Sequence, residues 1–396
     1  MKTIGLCRLH SGLSLSQPGF KEDSDAFLSA IDPDGEFHFV SAVSDAFHIY
    51  YVESGGAENA FKRVYAQLGA PYVLLVHGER NSLAAALEIL SFLHQKGLEG
   101  QILMGDPDDI HEALDQACYF YEKKKEMSFA RLGVIGKPSD WLIASSVSKK
   151  ALRKAFGIEL VEIDIDEFYG LYKKHLIDDE KLLSKFKEKT RRLKDLRESL
   201  FIHSALKRLC QKYHLDGFTL RCFDLVTAHQ ETSCLAFGLL NDEGIIAACE
   251  GDVPALLTMY FIRLLTGKPS FQANPARFDF VKKQAVYAHC TCPFSMVSSY
   301  TLPTHFESGS GIAIAGKFKK KRITVAKIKA DLSDIRVMGG SIIDNLSEAN
   351  LCRSQIVVQF DEGLEPLVKD PYGNHMLFCY GDYADELKAF FEYCRA

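Results

Sequence analysis

An acidic turn between an apolar segment and a helix start is the part of this sequence with the clearest chemical potential. Glu250 and Asp252 follow an apolar run that ends at Cys249, and Pro254 opens an apolar helical pattern. Glu250 would therefore lie at the carboxyl end of a strand, where open α/β sheets bind their ligands. Asp252 would precede the helix, where a carboxylate caps free backbone amides. Both acids could equally be ordinary helix-start residues.

Three histidines later in the chain stand where predicted strands end or turn. They are His289 in Ala-His-Cys-Thr-Cys-Pro, His305 in Thr-His-Phe-Glu-Ser-Gly and His375 in Gly-Asn-His-Met. Imidazole and carboxylate together suit Mn²⁺, Fe²⁺, Co²⁺ or Zn²⁺. A single histidine in such a setting is more often structural, so the residues alone make a metal site the minority interpretation.

Two further segments could contact a sugar. The predicted helix start at Asn81-Ser82 offers free amides to a hydroxyl or an anion, although simple capping is the better explanation. Trp141 is the only tryptophan of the chain and follows Asp140. Its ring could stack on a sugar face while the carboxylate accepts hydroxyls, but packing in a core or interface is at least as good an interpretation.

The elements that would position these residues alternate between strands and helices. Residues 72–76 are fully apolar, as in a buried parallel strand, and a helical pattern over 83–93 follows. This alternation predicts sheets of the doubly wound α/β type. From about residue 285 the pattern changes to short strands, which predicts a small β-barrel or sandwich with a closing helix at 382–394. The predicted strands of this last part are 285–289, 311–314, 322–328 and 355–360.

These patterns predict three domains. The charged stretch 121–127 marks the first boundary, so residues 1–127 form an N-terminal Rossmann-like α/β domain. Residues 128–284 form a second α/β domain, which carries Glu250, and residues 285–396 form a β-barrel-like domain with its closing helix. The predicted fold class is therefore α/β, with two doubly wound domains followed by a small barrel.

The composition favours a soluble, cytoplasmic protein. Hydrophobic residues make up 47% and the net charge is −5, which gives no general reason to expect nucleic acid or a membrane as a partner. The basic segment 185–197 is interleaved with acids, which is typical of a solvated helix face. No signal-peptide pattern opens the sequence, and the eleven cysteines form no paired framework, so we expect reduced thiols in the cytoplasm.

In order and spacing, the Glu250 turn, the 304–307 segment and the 373–375 turn resemble the L-fucose isomerase and L-arabinose isomerase families, particularly their short relatives. The resemblance implies that Glu250 is both a metal ligand and an acid/base group, and that His305 and His375 are ligands. It implies a divalent ion, most simply Mn²⁺, and a sugar substrate converted between aldose and ketose through an enediol. It also implies a homo-oligomer, a trimer or hexamer, whose subunits complete the sites.

The chain departs from this family pattern at one point. Fucose isomerases carry a second metal-binding carboxylate, and the corresponding place falls near Asn274, which could ligate through its amide oxygen but cannot act as the usual acid/base. Asp252, Glu307 or His289 could replace the missing group. The predicted substrate contacts are Ser82, Asp140, Trp141 and His289.

The missing carboxylate leaves two alternatives to isomerisation. One is a carbon–carbon lyase or transferase that acts on a ketose or a sulfonated sugar phosphate with the same frame. The other is a non-catalytic sugar-binding protein.

Overall fold

A computed structural model describes residues 1–395 and divides them into two units, Met1–Lys125 and Glu126–Arg395. The elements of the first part of the chain are β1 (Lys2–Leu9), α1 (Gly12–Leu15), α2 (Phe20–Ile31), β2 (Phe37–Ser41), β3 (His48–Val52), α3 (Glu58–Leu68), β4 (Val73–Val76), α4 (Ser82–Gln95), β5 (Gln101–Leu103) and α5 (Pro107–Met127). Their strands form one parallel sheet in the order β2-β1-β3-β4-β5.

Helices cover both faces of this first sheet. Alternate residues of β3 belong to different cores, since Ile49 and Tyr51 pack with α2 and α5, whereas Tyr50 and Val52 pack with α3 and α4. A strand that is apolar on both faces needs this double cover. The first unit is therefore a doubly wound sheet.

The second unit contains another parallel sheet and a closed barrel. Its elements are β6 (Arg131–Ile135), α6 (Lys149–Phe156), β7 (Glu159–Ile163), α7 (Ile165–Tyr172), α8 (Glu180–Phe186), α9 (Leu193–Tyr213), β8 (Gly217–Leu220), α10 (Phe223–His229), α11 (Cys234–Asp242), β9 (Ile246–Cys249), α12 (Val253–Thr266), β10 (Phe271–Asp279), β11 (Gln284–His289), β12 (Val297–Thr301), β13 (Ala315–Phe318), β14 (Arg322–Ile328), β15 (Ile335–Asn345), β16 (Ser354–Phe360), α13 (Glu365–Lys369), β17 (Met376–Tyr380) and α14 (Ala384–Arg395). A short 3₁₀ turn at Phe294–Met296 precedes β12.

The second parallel sheet has the order β7-β6-β8-β9. Helices α7, α9 and α11 share a hydrophobic core with this sheet. Helix α12 contacts β8 and β9 and also the barrel strands β14 and β17. This helix begins at the Glu250–Asp252 turn, so the turn stands where the sheet and the barrel come together within the unit.

The barrel closes in the order β10-β11-β16-β15-β14-β17, and all its neighbouring strands are antiparallel. Its first strand, Phe271–Asp279, begins earlier than the predicted start of the β region at residue 285. The closing helix is present as α14. Doubly wound α/β sheets followed by a small β-barrel confirm the predicted fold class, while the division into domains at residues 127 and 284 stays a prediction.

The predicted strand at 311–314 is wrong. Gly311 has a φ of 54°, a left-handed conformation that interrupts a strand. The backbone of Ile312 bonds to a side chain instead of a neighbouring strand, because its carbonyl accepts from Oγ1 of Thr232 at 2.8 Å. The strand in this region begins only at Ala315.

No helix within residues 1–395 has both the length and the apolar character needed to cross a membrane.

Candidate metal centre and active site

Glu250 and Gly251 form a tight turn directly after β9. Both have positive φ angles, 66° and 74°, a conformation that glycine adopts freely and that strains a glutamate. A side chain at position 251 has no room, because a Cβ there would lie 2.6 Å from the Cα of Pro138. The carbonyl of Glu250 accepts a 2.8 Å hydrogen bond from the amide of Ser139. The turn therefore fixes a buried carboxylate at the carboxyl end of the strand.

Asp252 caps helix α12, as the sequence predicts, and also binds two cationic side chains. Its Oδ1 accepts from the amide of Ala255 at 2.8 Å. Its Oδ2 lies 3.0 Å from Nζ of Lys327 and 2.8 Å from Nδ1 of His375, and all three side chains are fully buried. Burial opposes the ionisation of Asp252, but Lys327 and His375 outweigh it and hold the pKa of the carboxyl well below its ordinary value.

His375 is oriented by this carboxylate. Nδ1 donates to Asp252, so Nε2 is the ring atom that faces the site; it has no hydrogen-bond partner and lies 3.6 Å from Oε1 of Glu250. Burial disfavours the charged ring, but the carboxylates of Asp252 and Glu250 outweigh it and raise the pKa of His375 to about 9. A buried imidazole nitrogen without a partner is uncommon in folded proteins, and a missing ligand is one explanation for it.

His289 completes a group of three with Glu250 and His375. The ligand atoms that the three residues offer all lie within 4.8 Å of one another. Burial, together with the nearby His375, lowers the pKa of His289 to about 3, so this ring is neutral. Its Nδ1 lies 2.9 Å from Oγ1 of Thr291. The amide of Thr291 also donates to Nδ1 at 3.3 Å, so the proton of the neutral ring lies on Nε2. Binding of a metal ion at Nε2 would move this proton to Nδ1, where the hydroxyl of Thr291 can accept it.

The donor set of this group fits a divalent transition-metal ion. Metal bonds of about 2.1 Å place neighbouring ligand atoms about 3 to 4 Å apart, so the three atoms need only a small convergence. Two imidazoles and one carboxylate suit Mn²⁺ and its first-row neighbours, and binding of such an ion would displace the proton that the raised pKa of His375 keeps on its ring. The Asp252–His375 bond is the carboxylate contact that commonly orients a metal-binding histidine. Burial raises the pKa of Glu250, but His375, His289 and Trp141 outweigh it and bring it to about 2, so the carboxylate is ionised.

His305, which the family resemblance implies as a ligand, lies beside this group but is not among its three ligand residues. Its Nδ1 lies 3.2 Å from Oγ of Ser308, and its ring stands 5.8 Å from that of Phe223. Burial lowers the pKa of His305, and Arg353 adds to this effect while Glu250 opposes it. The structure thus contains a neutral imidazole close to Glu250.

The two predicted sugar contacts, Asp140 and Trp141, lie at the same edge of the second parallel sheet as Glu250. Nε1 of Trp141 donates to Oε2 of Glu250 at 2.7 Å, while about half of the residue is exposed. Asp140 forms a 2.7 Å ion pair with Arg221, and its side chain is largely exposed. The indole therefore orients the carboxylate and still presents a face to solvent.

The other predicted residues lie in two different places. Asn274, in β10, accepts a 3.1 Å hydrogen bond from the side chain of Asn374 and is paired in register with Ala288, the residue before His289. The place of the missing carboxylate is therefore next to a histidine that the neighbouring strand supplies. Ser82 begins α4 in the first unit, where its buried hydroxyl has no partner.

Sequence reasoning did not identify Lys327 or assign His289 to the ligand group. Lys327 lies within the apolar pattern of β14, in Val-Ala-Lys-Ile, and a charge inside a buried strand is the signal that could have revealed it. His289 follows Ala288, the cross-strand partner of Asn274, and this position could have revealed it as a ligand. Recognising that signal requires knowledge of the strand register.

The chain is similar to curated proteins named sulfoquinovose isomerase. It is 20% identical to that of Priestia aryabhattai over 326 residues, which cover 78% of this chain and 73% of the relative. It is 30% identical to that of Clostridium sp. (strain MSTE9) over 188 residues, 44% of this chain and 42% of the relative. The protein of Alkalicoccus urumqiensis is 21% identical over 221 residues, 53% of this chain and 49% of the relative. No family model matches the chain.

Proposed function

We propose that this protein is a metal-dependent aldose–ketose isomerase that acts on a sugar or modified sugar through an enediol. The observation that carries the proposal is the group formed by Glu250, His289 and His375, in which an unpaired imidazole nitrogen faces a carboxylate inside the protein. The similarity to proteins named sulfoquinovose isomerase supports this reaction class and a modified sugar as substrate.

The ligand residues of the proposed site are Glu250, His289 and His375, and the proposed ion is Mn²⁺. A bound divalent ion supplies a Lewis acid for the carbonyl and the neighbouring hydroxyl of an open-chain sugar. Asp252 keeps Nε2 of His375 directed at the site through its bond to Nδ1.

Isomerisation transfers one proton from C2 to C1 of the sugar and one from the C2 hydroxyl to the former carbonyl oxygen. Glu250 is the proposed carrier of the proton between the two carbons. Its carboxylate is ionised and therefore able to accept a proton. The N–H of Trp141 holds one of its oxygens in place, and the other faces Nε2 of His375 at 3.6 Å.

His305 is the proposed carrier of the hydroxyl proton. It is neutral and close to Glu250. Its Nδ1 accepts from the amide of Ser308 at 3.4 Å, so Nε2 carries the ring proton and would donate it to one sugar oxygen while recovering a proton from the other. Asp252 is unsuited to this role, because a lysine, a histidine and a backbone amide already occupy its oxygens.

Hydrogen exchange at C2 tests the reaction class. The protein would be stripped of metal, reloaded with Mn²⁺ and incubated in D₂O with sulfoquinovose or with glucose, and the products identified by NMR. We expect deuterium in a ketose product only after metal loading. Sugar fragments would instead support the carbon–carbon lyase, and unchanged sugars with every divalent ion would contradict the proposal.

Two histidine variants separate a ligand from a proton carrier. We expect His289→Gln to lose bound Mn²⁺, whereas His305→Gln should keep the metal and reduce kcat by about 10²-fold or more. Metal content measured by elemental analysis beside kcat distinguishes the two. Loss of metal from His305→Gln would assign His305 to the ligands, as the family resemblance implies.

A homo-oligomer, trimer or hexamer, and a cytoplasmic location remain part of the proposal. Sedimentation of the purified protein tests the first and cell fractionation the second.

A further inference from the structure

Arg353 is held against the loop that carries His305. Its Nε donates a 2.9 Å hydrogen bond to the carbonyl of Thr304, the residue before His305. The centre of its guanidinium lies 5.7 Å from the ring centroid of Phe306, the residue after His305. These two contacts orient the planar group and leave both of its terminal NH₂ groups available.

The same arginine adjoins the ligand group through the barrel. Ser354, the next residue, is the cross-strand partner of His289 in the register of β11 and β16. The charge of Arg353 is also one of the causes that lower the pKa of His305. The guanidinium therefore belongs to the surroundings of the proposed site.

Arg353 differs from the other cations near this site in its partners. Lys327 is paired with Asp252, and Arg221 is paired with both Asp140 and Asp224. Among the described residues, no carboxylate forms an ion pair with Arg353, although the side chain is only partly exposed. A partly buried guanidinium without a counter-charge is the arrangement expected of a site that receives an anion from a ligand.

We propose that Arg353 forms a subsite for an anionic oxygen-rich substituent, a sulfonate or a phosphate, on the sugar substrate. The inference rests on the proposed function, because it takes the substrate to be a sugar bound beside His305. The planar fork of a guanidinium matches two oxygens of such a group, which a lysine cannot reproduce. Arg353 is thus the residue that would distinguish an anionic sugar from a neutral one.

The test compares Arg353→Gln and Arg353→Lys with a matched control. The control is Arg131→Gln. Like Arg353, Arg131 donates from Nε to a backbone carbonyl, that of Tyr213. Arg131 is the first residue of β6, however, so it lies at the opposite edge of the sheet from Glu250. Binding to the Mn²⁺-loaded proteins would be measured by calorimetry with sulfoquinovose, glucose 6-phosphate and glucose, and KM would be measured for each sugar that reacts.

We expect Arg353→Gln to weaken the binding of its anionic sugar by about tenfold or more and to leave glucose unaffected. Arg353→Lys should retain part of the affinity, with a stronger dependence on salt, and Arg131→Gln should bind as the wild type does. A selective loss for sulfoquinovose or for glucose 6-phosphate identifies which anion is bound. Equal losses for charged and neutral sugars, or no loss, would overturn the subsite.

The two proposals fail in different ways. Arginine-dependent binding of an anionic sugar without any C2 exchange would leave the subsite intact and contradict the isomerase. Hydrogen exchange at C2 of neutral sugars alone, at the same rate in Arg353→Gln as in the wild type, would support the isomerase and contradict the subsite.

Discussion

Two buried glutamates each follow a strand of a parallel sheet, β3 at the centre of the first sheet and β9 at the edge of the second. Glu53 directly follows β3, and Glu250 directly follows β9, so each stands at the carboxyl end of a strand. Glu53 has both oxygens occupied, by Nη1 of Arg8 at 3.1 Å and by Nδ1 of His10 at 2.9 Å. It is a satisfied ion pair and needs no further partner.

Glu250 is satisfied on one side only. Trp141 donates to Oε2, whereas Oε1 faces the unpaired Nε2 of His375 at 3.6 Å. The position at the end of a strand is therefore shared by both glutamates, and the neighbouring histidines make the difference. A carboxylate at this edge becomes a candidate ligand where one of its oxygens is left without a hydrogen bond and two imidazoles converge on it.

Isosteric substitution of both glutamates gives the largest expected contrast. We expect Glu250→Gln to lose Mn²⁺ and to reduce turnover by about 10³-fold or more, because a ligand and a base are removed together. Glu53→Gln should keep metal and turnover and lose about 1–3 kcal/mol of stability through its weakened bonds to Arg8 and His10. Elemental analysis, kcat and urea unfolding of the two variants measure the contrast. Equal metal content in both would remove the distinction between them.

The buried Lys327 gives the next largest effect. Glu53 is bound directly by Arg8 and His10, but the Glu250 site depends on a relay in which Lys327 pairs with Asp252 and Asp252 orients His375. Lys327→Met removes one of the two cationic partners of the fully buried Asp252, which should cost about 3–5 kcal/mol of stability. Metal affinity should also fall about 10- to 100-fold as His375 loses its orientation.

The double variant Lys327→Met/Asp252→Asn serves as the control for this loss. It removes both charges, so it should recover part of the stability but not the metal affinity. A single variant as stable as the wild type in urea unfolding would mean that Asp252 needs no cation.

Much of the fold was predictable because its signals are local. The apolar run before Cys249 and the helix after Asp252 define the ligand edge of the sheet without tertiary information. The barrel strand β10 was missed because Asn274-Pro275 lies within it, and a proline removes a donor that a strand normally uses. The structure accommodates this proline at a register shift between Pro275 and Arg277.

The candidate site was less predictable because it depends on strand register. Glu250 and His375 were expected to approach each other from the family resemblance, and the structure brings them together. His289 joins them only because β11 pairs with β10 and β16 in one particular register, which a single sequence does not encode locally. The relay from Lys327 likewise depends on α12 contacting β14.

A third buried glutamate, Glu231, gives the smallest expected effect. It extends the comparison to a buried carboxylate that, among the described residues, has neither a cation nor a histidine in an ion pair with it. Its Oε2 has no partner, and burial, together with Asp195 and Glu198, raises its pKa to about 7. A raised carboxyl pKa means that the folded state binds the proton more tightly, so stability is retained below about pH 4.5 and lost as the pH rises through 7. Glu231→Gln should therefore stabilise the protein by on the order of 1 kcal/mol at pH 8 and have no effect at pH 4.5. Urea unfolding at both pH values measures this. An equal gain in stability at pH 8 and at pH 4.5 would mean that the ionisation of Glu231 does not destabilise the protein. The lack of a cationic partner would then not distinguish Glu231 from Glu53 and Glu250.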